Sequence, residues 1–239
     1  MRKLQTTFLA IGVATILTGC GMAKSPSTTI IENTETTTEE MTSIIESDGN
    51  VNISEWKQVG DYHWIPVKCF VEGKDISYTY DENDMRSAKC VNGEKTTYVY
   101  EKYVISKDGC DYINYKLVSE TNGDKDIRYI YDDTDVGKMK GFIYEGAEYT
   151  YLYDENGNIF GIAQGEETIG TYSYDENYVS TTNYDLSDNG IMSVNHIRFD
   201  GFYLDDETGY YYAGGKYNDL KNGRLVNKKI ETEISIPLD

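Results

Sequence analysis

The side chains able to do chemistry in this chain fall into four groups: clustered carboxylates, two histidines, four cysteines and 23 tyrosines. Acidic clusters stand at Asp81-Glu82-Asn83-Asp84, Asp132 to Asp135, Asp154 to Asn158 and Asp205-Asp206-Glu207. Several oxygens close together are what calcium takes as ligands. Tight turns call for the same residue types, because Asp, Asn and Gly accept left-handed geometry and cap their own backbone. None of the clusters has the D-x-[DN]-x-[DN]-G-x5-E spacing of a calcium loop, so they read as turns and no metal or other cofactor is expected. A glycosidase needs two carboxylates facing each other across a cleft, and nothing singles out such a pair among 41 acids. His63 and His196 lie far apart with no Ser or Cys motif beside them, which offers neither a triad nor zinc-ligand spacing. No catalytic residue is expected.

The tyrosines are the most regular of the four groups. The element Tyr-x-Tyr-acidic occurs at Tyr78–Asp81, Tyr98–Glu101, Tyr129–Asp132, Tyr151–Asp154 and Tyr172–Asp175, at steps of 20, 31, 22 and 21 residues. Alternate side chains of a strand share a face, so each pair of rings stands on one side of a strand. In Tyr149 to Phe160 the strand runs into Asp154-Glu155-Asn156-Gly157-Asn158, whose Asn-Gly supplies a hairpin turn, and Ile159-Phe160 begin the return. A period just over 20 fits two strands and two turns, so each unit is a hairpin. The long step contains an insertion near Lys107 to Asn122. Repeated hairpins predict an all-β antiparallel meander, curved or partly spiralled, with too few units to close into a shell.

Cys69, Cys90 and Cys110 follow the same period, at steps of 21 and 20. With two strands per unit, equivalent positions lie about 9.5 Å apart, beyond the roughly 4.4–6.8 Å that a disulfide spans. Mostly free thiols are expected. One turn of a solenoid per unit would instead bring them within about 4.8 Å. Trp56 and Trp64 read as buried cover for one end of the sheet, and Pro66 speaks against a central strand there.

The N-terminus has its own pattern. Arg2 and Lys3, an apolar run from Phe8 to Thr18 and Leu17-Thr18-Gly19-Cys20 resemble a bacterial lipoprotein signal with its lipobox. The resemblance implies a signal peptide over 1–19, a diacylglycerol on Cys20 and a permanent tether on the outer side of a membrane. Residues 20–54 are rich in Ser, Thr and Glu and read as a disordered stalk, spanning roughly 30 Å as a flexible coil. The repeat domain is then expected over 55–197, with a C-terminal segment over 198–239 continuous with its sheet.

That C-terminal segment and the repeats share a second resemblance. Tyr151-Leu152-Tyr153-Asp154-Glu155-Asn156-Gly157-Asn158-Ile159 resembles the YD repeat of the Rhs family. Arg198 to Arg224 looks like the Rhs-associated core segment, with Arg198, Gly201, Tyr203, Asp205, Thr208, Gly209, Tyr211, Tyr212, Lys216, Tyr217, Gly223 and Arg224 on matching or similar positions. In large members the hairpins spiral into a hollow shell and a self-cleaving D-P-x-G segment follows. Leu220 stands where the core would have proline, and no D-P-x-G lies between Arg224 and Asp239.

Forty-one Asp and Glu against 22 Lys and Arg give a net charge of −19, which repels phosphate backbones, so no nucleic-acid partner is expected. Tyr203, Tyr210, Tyr211, Tyr212 and Tyr217 are too dense for all to point inward, which makes them the candidate contact surface. The sequence reading is a non-catalytic, membrane-tethered YD-repeat protein that binds a cell-surface protein or glycan or acts structurally. Its alternatives are an immunity or decoy accessory of an Rhs-type toxin system, and a polysaccharide-acting enzyme.

Overall fold

The computed structural model describes residues 47–48, 51–135 and 137–228. The proposed signal peptide, Cys20 and most of the proposed stalk lie outside the described residues. Ordered strand begins earlier than the expected boundary near 55, with β1 (Ser47–Asp48) and β2 (Val51–Val59). Next come β3 (His63–Val71), β4 (Lys74–Tyr80), β5 (Arg86–Val91), β6 (Glu94–Lys107) and β7 (Cys110–Asn122). They continue as β8 (Lys125–Tyr131), β9 (Met139–Tyr144), β10 (Ala147–Tyr153), β11 (Ile159–Gln164), β12 (Glu167–Tyr174) and β13 (Ser180–Asp185). These thirteen strands pair strictly in chain order, every one antiparallel to the next, in a single open sheet. The predicted all-β meander is what the chain forms.

Two kinds of turn alternate along this sheet. At one end Glu72-Gly73, Asn92-Gly93 and Glu145-Gly146 have positive φ at both residues, as two-residue hairpin turns that match strand twist require, and Asp108-Gly109 makes the same turn between β6 and β7 at the opposite end. At the other end an aspartate organises a longer loop. Asp81 Oδ1 accepts from the Asn83 and Met85 amides, Asp154 Oδ1 from those of Asn156 and Asn158, and Asp175 Oδ1 from those of Asn177 and Val179. Asp81, Asp132, Asp154 and Asp175 are thus turn organisers, while Glu101 lies within β6 and pairs with Lys116. Asn156-Gly157 belongs to such a loop; only Gly157 takes positive φ there, so it is not the tight two-residue turn its sequence suggested.

The second tyrosine of four of the five repeats stitches the sheet. Tyr80, Tyr131, Tyr153 and Tyr174 donate their hydroxyls to the carbonyls of Pro66, Leu117, Met139 and Ile159, at 2.5, 2.9, 2.5 and 2.6 Å. Each acceptor lies 14 or 15 residues earlier, in the preceding part of the meander. The register also shifts at this tyrosine, between Thr79 and Tyr80, Val99 and Tyr100, Ile130 and Tyr131, and Leu152 and Tyr153. A bulge bends its strand and increases twist, so a bulge in every unit curves the whole sheet. Pro66 sits inside β3 after all. The β3–β4 ladder begins only at Lys68, so the missing amide of Pro66 faces no partner strand.

The predicted insertion is an elongation of one hairpin. β6 and β7 pair from Thr96 and Asn122 out to Lys107 and Cys110. Their outer neighbours stop early: β5 pairs β6 only as far as Thr97, and β8 pairs β7 only as far as Ser119. The distal half of the hairpin is therefore a free arm.

The chain then turns back through helix α1 (Ile191–Val194) into a second sheet of β14 (Tyr203–Asp205), β15 (Tyr210–Ala213), β16 (Lys216–Asp219) and β17 (Arg224–Leu225). This sheet does not continue the first, as had been expected. It packs across one face of it, touching residues from β3 to the turn after β12, and the curved sheet wraps around it. The core follows from that arrangement: Ile76, Tyr78, Tyr98, Ile127, Tyr129, Phe142, Tyr149, Tyr151 and Ile162 from the large sheet meet Ile191, Met192, Ile197, Tyr203, Tyr212 and Tyr217 from the returning chain.

Candidate functional site: the buried clamp between the two sheets

Arg86 opens β5, and its neighbours Asp81 to Met85 form the loop that ends β4. Its side chain points into the wrapped face and is fully buried. There Nη1 donates to both carboxylate oxygens of Asp205, at 2.8 and 2.7 Å. Lys89, on the same strand, reaches Asp205 Oδ1 at 3.2 Å and Glu207 Oε2 at 2.8 Å. The guanidinium carbon lies 4.4, 4.7 and 4.6 Å from the ring centroids of Tyr98, Tyr203 and Tyr212. Nε and Nη2 have no hydrogen-bond partner, and their charge rests against these ring faces.

The electrostatics hold Arg86, Lys89 and Asp205 charged. Burial alone would push the Asp205 carboxyl up, but Arg86 and Lys89 beside it bring it below the usual carboxylate range. Burial would likewise lower Arg86 and Lys89, and Asp205 reverses both. The carboxylate oxygens are occupied and closed to solvent, so this group joins the sheets and has no free nucleophile or base. It is a latch.

A second polar group lies nearby. Glu120 of β7 is buried and accepts from Tyr129 at 2.8 Å, from Tyr203 at 2.7 Å and faces His196 Nδ1 at 3.3 Å. Burial opposes its charge, while His196, Tyr203 and Tyr129 hold its carboxyl below the ordinary range. His196 stacks on Tyr203 with centroids 5.0 Å apart, and its Nε2 lies 3.7 Å from Asp206 Oδ2. The imidazole is partly exposed, so its ring is held in one orientation at a surface. His63 stands apart at the start of β3, and burial lowers its pKa. Arg198, the first residue of the core-like match, lies 4.1 Å above the Tyr172 ring and donates to the Met192 carbonyl.

Tyr203, Tyr210, Tyr211, Tyr212 and Tyr217 are all buried, the most accessible at 5%. The crowding argument that put some of them outside is corrected. A small sheet inside a curved one has two covered faces, so Tyr212 reaches the Arg86 amide from one face while Tyr211 donates to the Tyr178 carbonyl from the other. Among the described residues no group of three or more His, Cys, Asp or Glu could hold a metal, and the acid clusters serve turns and latch. Cys69, Cys90 and Cys110 are free, with β4 between Cys69 and Cys90.

Sequence reasoning missed Arg86, Lys89 and Glu120. A charged residue in a strand reads as the solvent side, and Asp205 was counted among turn acids. The one local signal was Arg86 and Lys89 flanking Ala88 where a buried strand would carry apolar residues.

No known protein-family profile matches the chain. Its architecture is that of a repeat-sheet protein: it superposes on the Tc holotoxin pore of Photorhabdus luminescens with a TM-score of 0.51 and 15% identity, covering 78% of this chain and 9% of that one. Among curated proteins it is 31% identical over 152 residues to the tRNA3(Ser)-specific nuclease WapA of Bacillus spizizenii and to the tRNA nuclease WapA of Bacillus subtilis strain 168. These matches cover 63% of this chain and 6% of each relative. Together they support an Rhs-like relationship.

The relatives overturn four expectations. They are named nucleases, which counts against a non-catalytic surface binder, against the immunity or decoy accessory and against a polysaccharide-acting enzyme. They are named for tRNA, which counts against excluding nucleic acid as a partner. The charge argument failed for a physical reason. A net charge of −19 describes this chain alone, while the match is a small fraction of much longer proteins whose charge it does not report.

Proposed function

We propose that this chain serves a tRNA-cleaving protein of the WapA kind, as the curved repeat sheet against which the rest of such a protein is folded and held. The observation that carries this reading is the 31% identity over 152 residues to proteins named tRNA nucleases. The clamp supports it: a sheet locked around its own returning chain by Arg86–Asp205 is a rigid support of the kind a catalytic constellation needs. The test is a replacement. The matching 152-residue stretch of the Bacillus subtilis relative is exchanged for that of this chain, and tRNA cleavage is followed on denaturing gels. Retained cleavage is expected; loss of cleavage in a chimera that still accumulates as folded protein would refute the reading.

One arrangement favours a second reading, in which the chain contributes chemistry itself. RNA cleavage needs a group that takes and returns a proton, and His196, oriented by Glu120 and partly exposed, is the described imidazole placed to do so. Incubating the purified chain with total tRNA decides it: cleavage that His196→Ala abolishes supports this role, and intact tRNA removes it.

A further inference from the structure

We infer that the open groove beneath the free β6–β7 arm is a docking site for an extended cationic polypeptide segment, whose Lys or Arg side chains lie on the groove's tyrosines. This goes beyond the nuclease reading and does not depend on it.

The groove has a volume of about 740 Å³. Tyr103 and Tyr112 line it from the arm, Met139 and Tyr153 from β9 and β10, with Asp135 and Asp200 contributed by the turn after β8 and by the returning chain. It exists because the arm outruns its neighbours: beyond Thr97 and Ser119 no other strand flanks it among the described residues. The arm also leaves Val104 and Ile105 51% and 45% exposed.

Charge selects the occupant. Among the described residues Asp108, Asp135 and Asp200 line the groove without an ion-pair partner. Partial desolvation pushes the carboxyl of Asp200 up although the residue is exposed at the groove's edge, a shift that a cation alongside would reverse. The bounding turns add Asp132, Asp133, Asp154 and Glu155. Against these stand Lys107 and Lys138. Lys138 already displays the binding mode, its ammonium 5.0 Å from the Tyr153 ring centroid. Tyrosine faces with unpaired carboxylates nearby suit a guanidinium or ammonium, which gains from both at once. A polynucleotide would meet the same carboxylates as repulsion. A groove of about 740 Å³ admits a few side chains of an extended segment and is too small for a folded domain.

The test uses the full chain and fluorescein-labelled octa-arginine, read by anisotropy at near-physiological salt. Wild type is expected to bind. The pair Tyr103→Ala and Tyr112→Ala leaves net charge unchanged and should weaken binding about tenfold, the scale of two partly desolvated cation–π contacts. Tyr103→Phe with Tyr112→Phe keeps the rings and should bind as wild type does. Asp135→Asn with Asp200→Asn, in exposed turns, should weaken binding without disturbing the strands, whereas Glu72→Gln with Glu94→Gln, away from the groove, should change it less than about twofold. Absence of wild-type binding overturns the proposal, as does an alanine pair that binds like wild type or a Glu72/Glu94 pair that weakens binding equally, since attraction would then come from net charge alone. Competition by a ten-nucleotide oligouridylate, weakened by the same alanine pair, would overturn the choice of a polypeptide.

Discussion

Arg86 and Asp205 lie 119 residues apart, and one guanidinium nitrogen donates to both oxygens of the carboxylate where neither side chain meets solvent. The pair joins the large sheet to the chain that returns across it. Removing one partner of a buried pair leaves the other charge uncompensated, at a cost of about 3–5 kcal/mol. Asp205→Ala should therefore lower unfolding stability by that amount in urea titrations. Lys89→Met, which leaves the Arg86–Asp205 pair intact, should cost clearly less.

The same latch sets a pH dependence. Asp205 and Glu120 both have carboxyls held below the usual range in the folded chain. A depressed carboxyl contributes stability that is present above its unfolded pKa of about 4 and is lost as pH falls through the folded value. Stability should thus be flat above about pH 5 and fall progressively on acidification. Urea midpoints measured from neutral pH downwards check this, and Asp205→Asn should flatten the acid limb. An acid limb identical in wild type and variant would remove Asp205 as its source.

The repeated tyrosine stitch makes a quantitative claim about a single atom. Tyr153→Phe removes the hydroxyl that donates to the Met139 carbonyl and leaves the ring in place. A net hydrogen bond contributes about 0.5–1.5 kcal/mol, and the loss should fall in that interval for Tyr153 and for Tyr174, which bonds Ile159 in the same way. Tyr62, 82% exposed, is the control, and its Phe variant should unfold as wild type does.

Two glycines mark close approaches, one between neighbouring strands of the large sheet and one between that sheet and helix α1. A methyl at Gly141 would run into the Tyr149 carbonyl oxygen of the neighbouring strand, and one at Gly170 would strike the Met192 side chain and the Tyr184 carbonyl oxygen. Overpacking of this kind costs about 1–3 kcal/mol. Gly141→Ala has only backbone to displace and should sit at the upper end. Gly170→Ala should be partly rescued by Met192→Ala, a non-additivity that a double-mutant cycle in urea measures.

How much of this was legible follows from the range of each interaction. The strands, the two-strand unit and the lengthened hairpin were readable because Tyr78, Tyr98, Tyr129, Tyr151 and Tyr172 repeat locally with a strand's alternation. The returning sheet was not. Nothing in the neighbourhood of Asp205 distinguishes a latch acid from the turn acids Asp81 and Asp154, and nothing near Arg86 names a partner 119 residues away. The density of Tyr203 to Tyr217 was visible, but reading it as exposure assumed a single covered face. The relation to tRNA nucleases was illegible to composition, because charge reports the segment in hand.

The cysteines give a prediction that separates the layers chemically. Cys69 faces the core, and burial pushes its thiol up to about 12, while Cys110 is exposed beside the turn of the β6–β7 arm. The thiolate is the nucleophile, so reactivity follows both thiolate fraction and access. Brief iodoacetamide treatment of the native chain at mildly alkaline pH should label Cys110 first and leave Cys69 unmodified, with both labelled in denaturant. Peptide mass spectrometry reads the order. Because Cys69 lies beneath the returning chain, close enough to Asp205 and Glu207 to sense their charge, Asp205→Ala should speed its labelling while leaving the Cys110 rate unchanged. Equal acceleration at both sites would mean that the variant loosens the whole sheet, and that the latch does not specifically hold the two layers together.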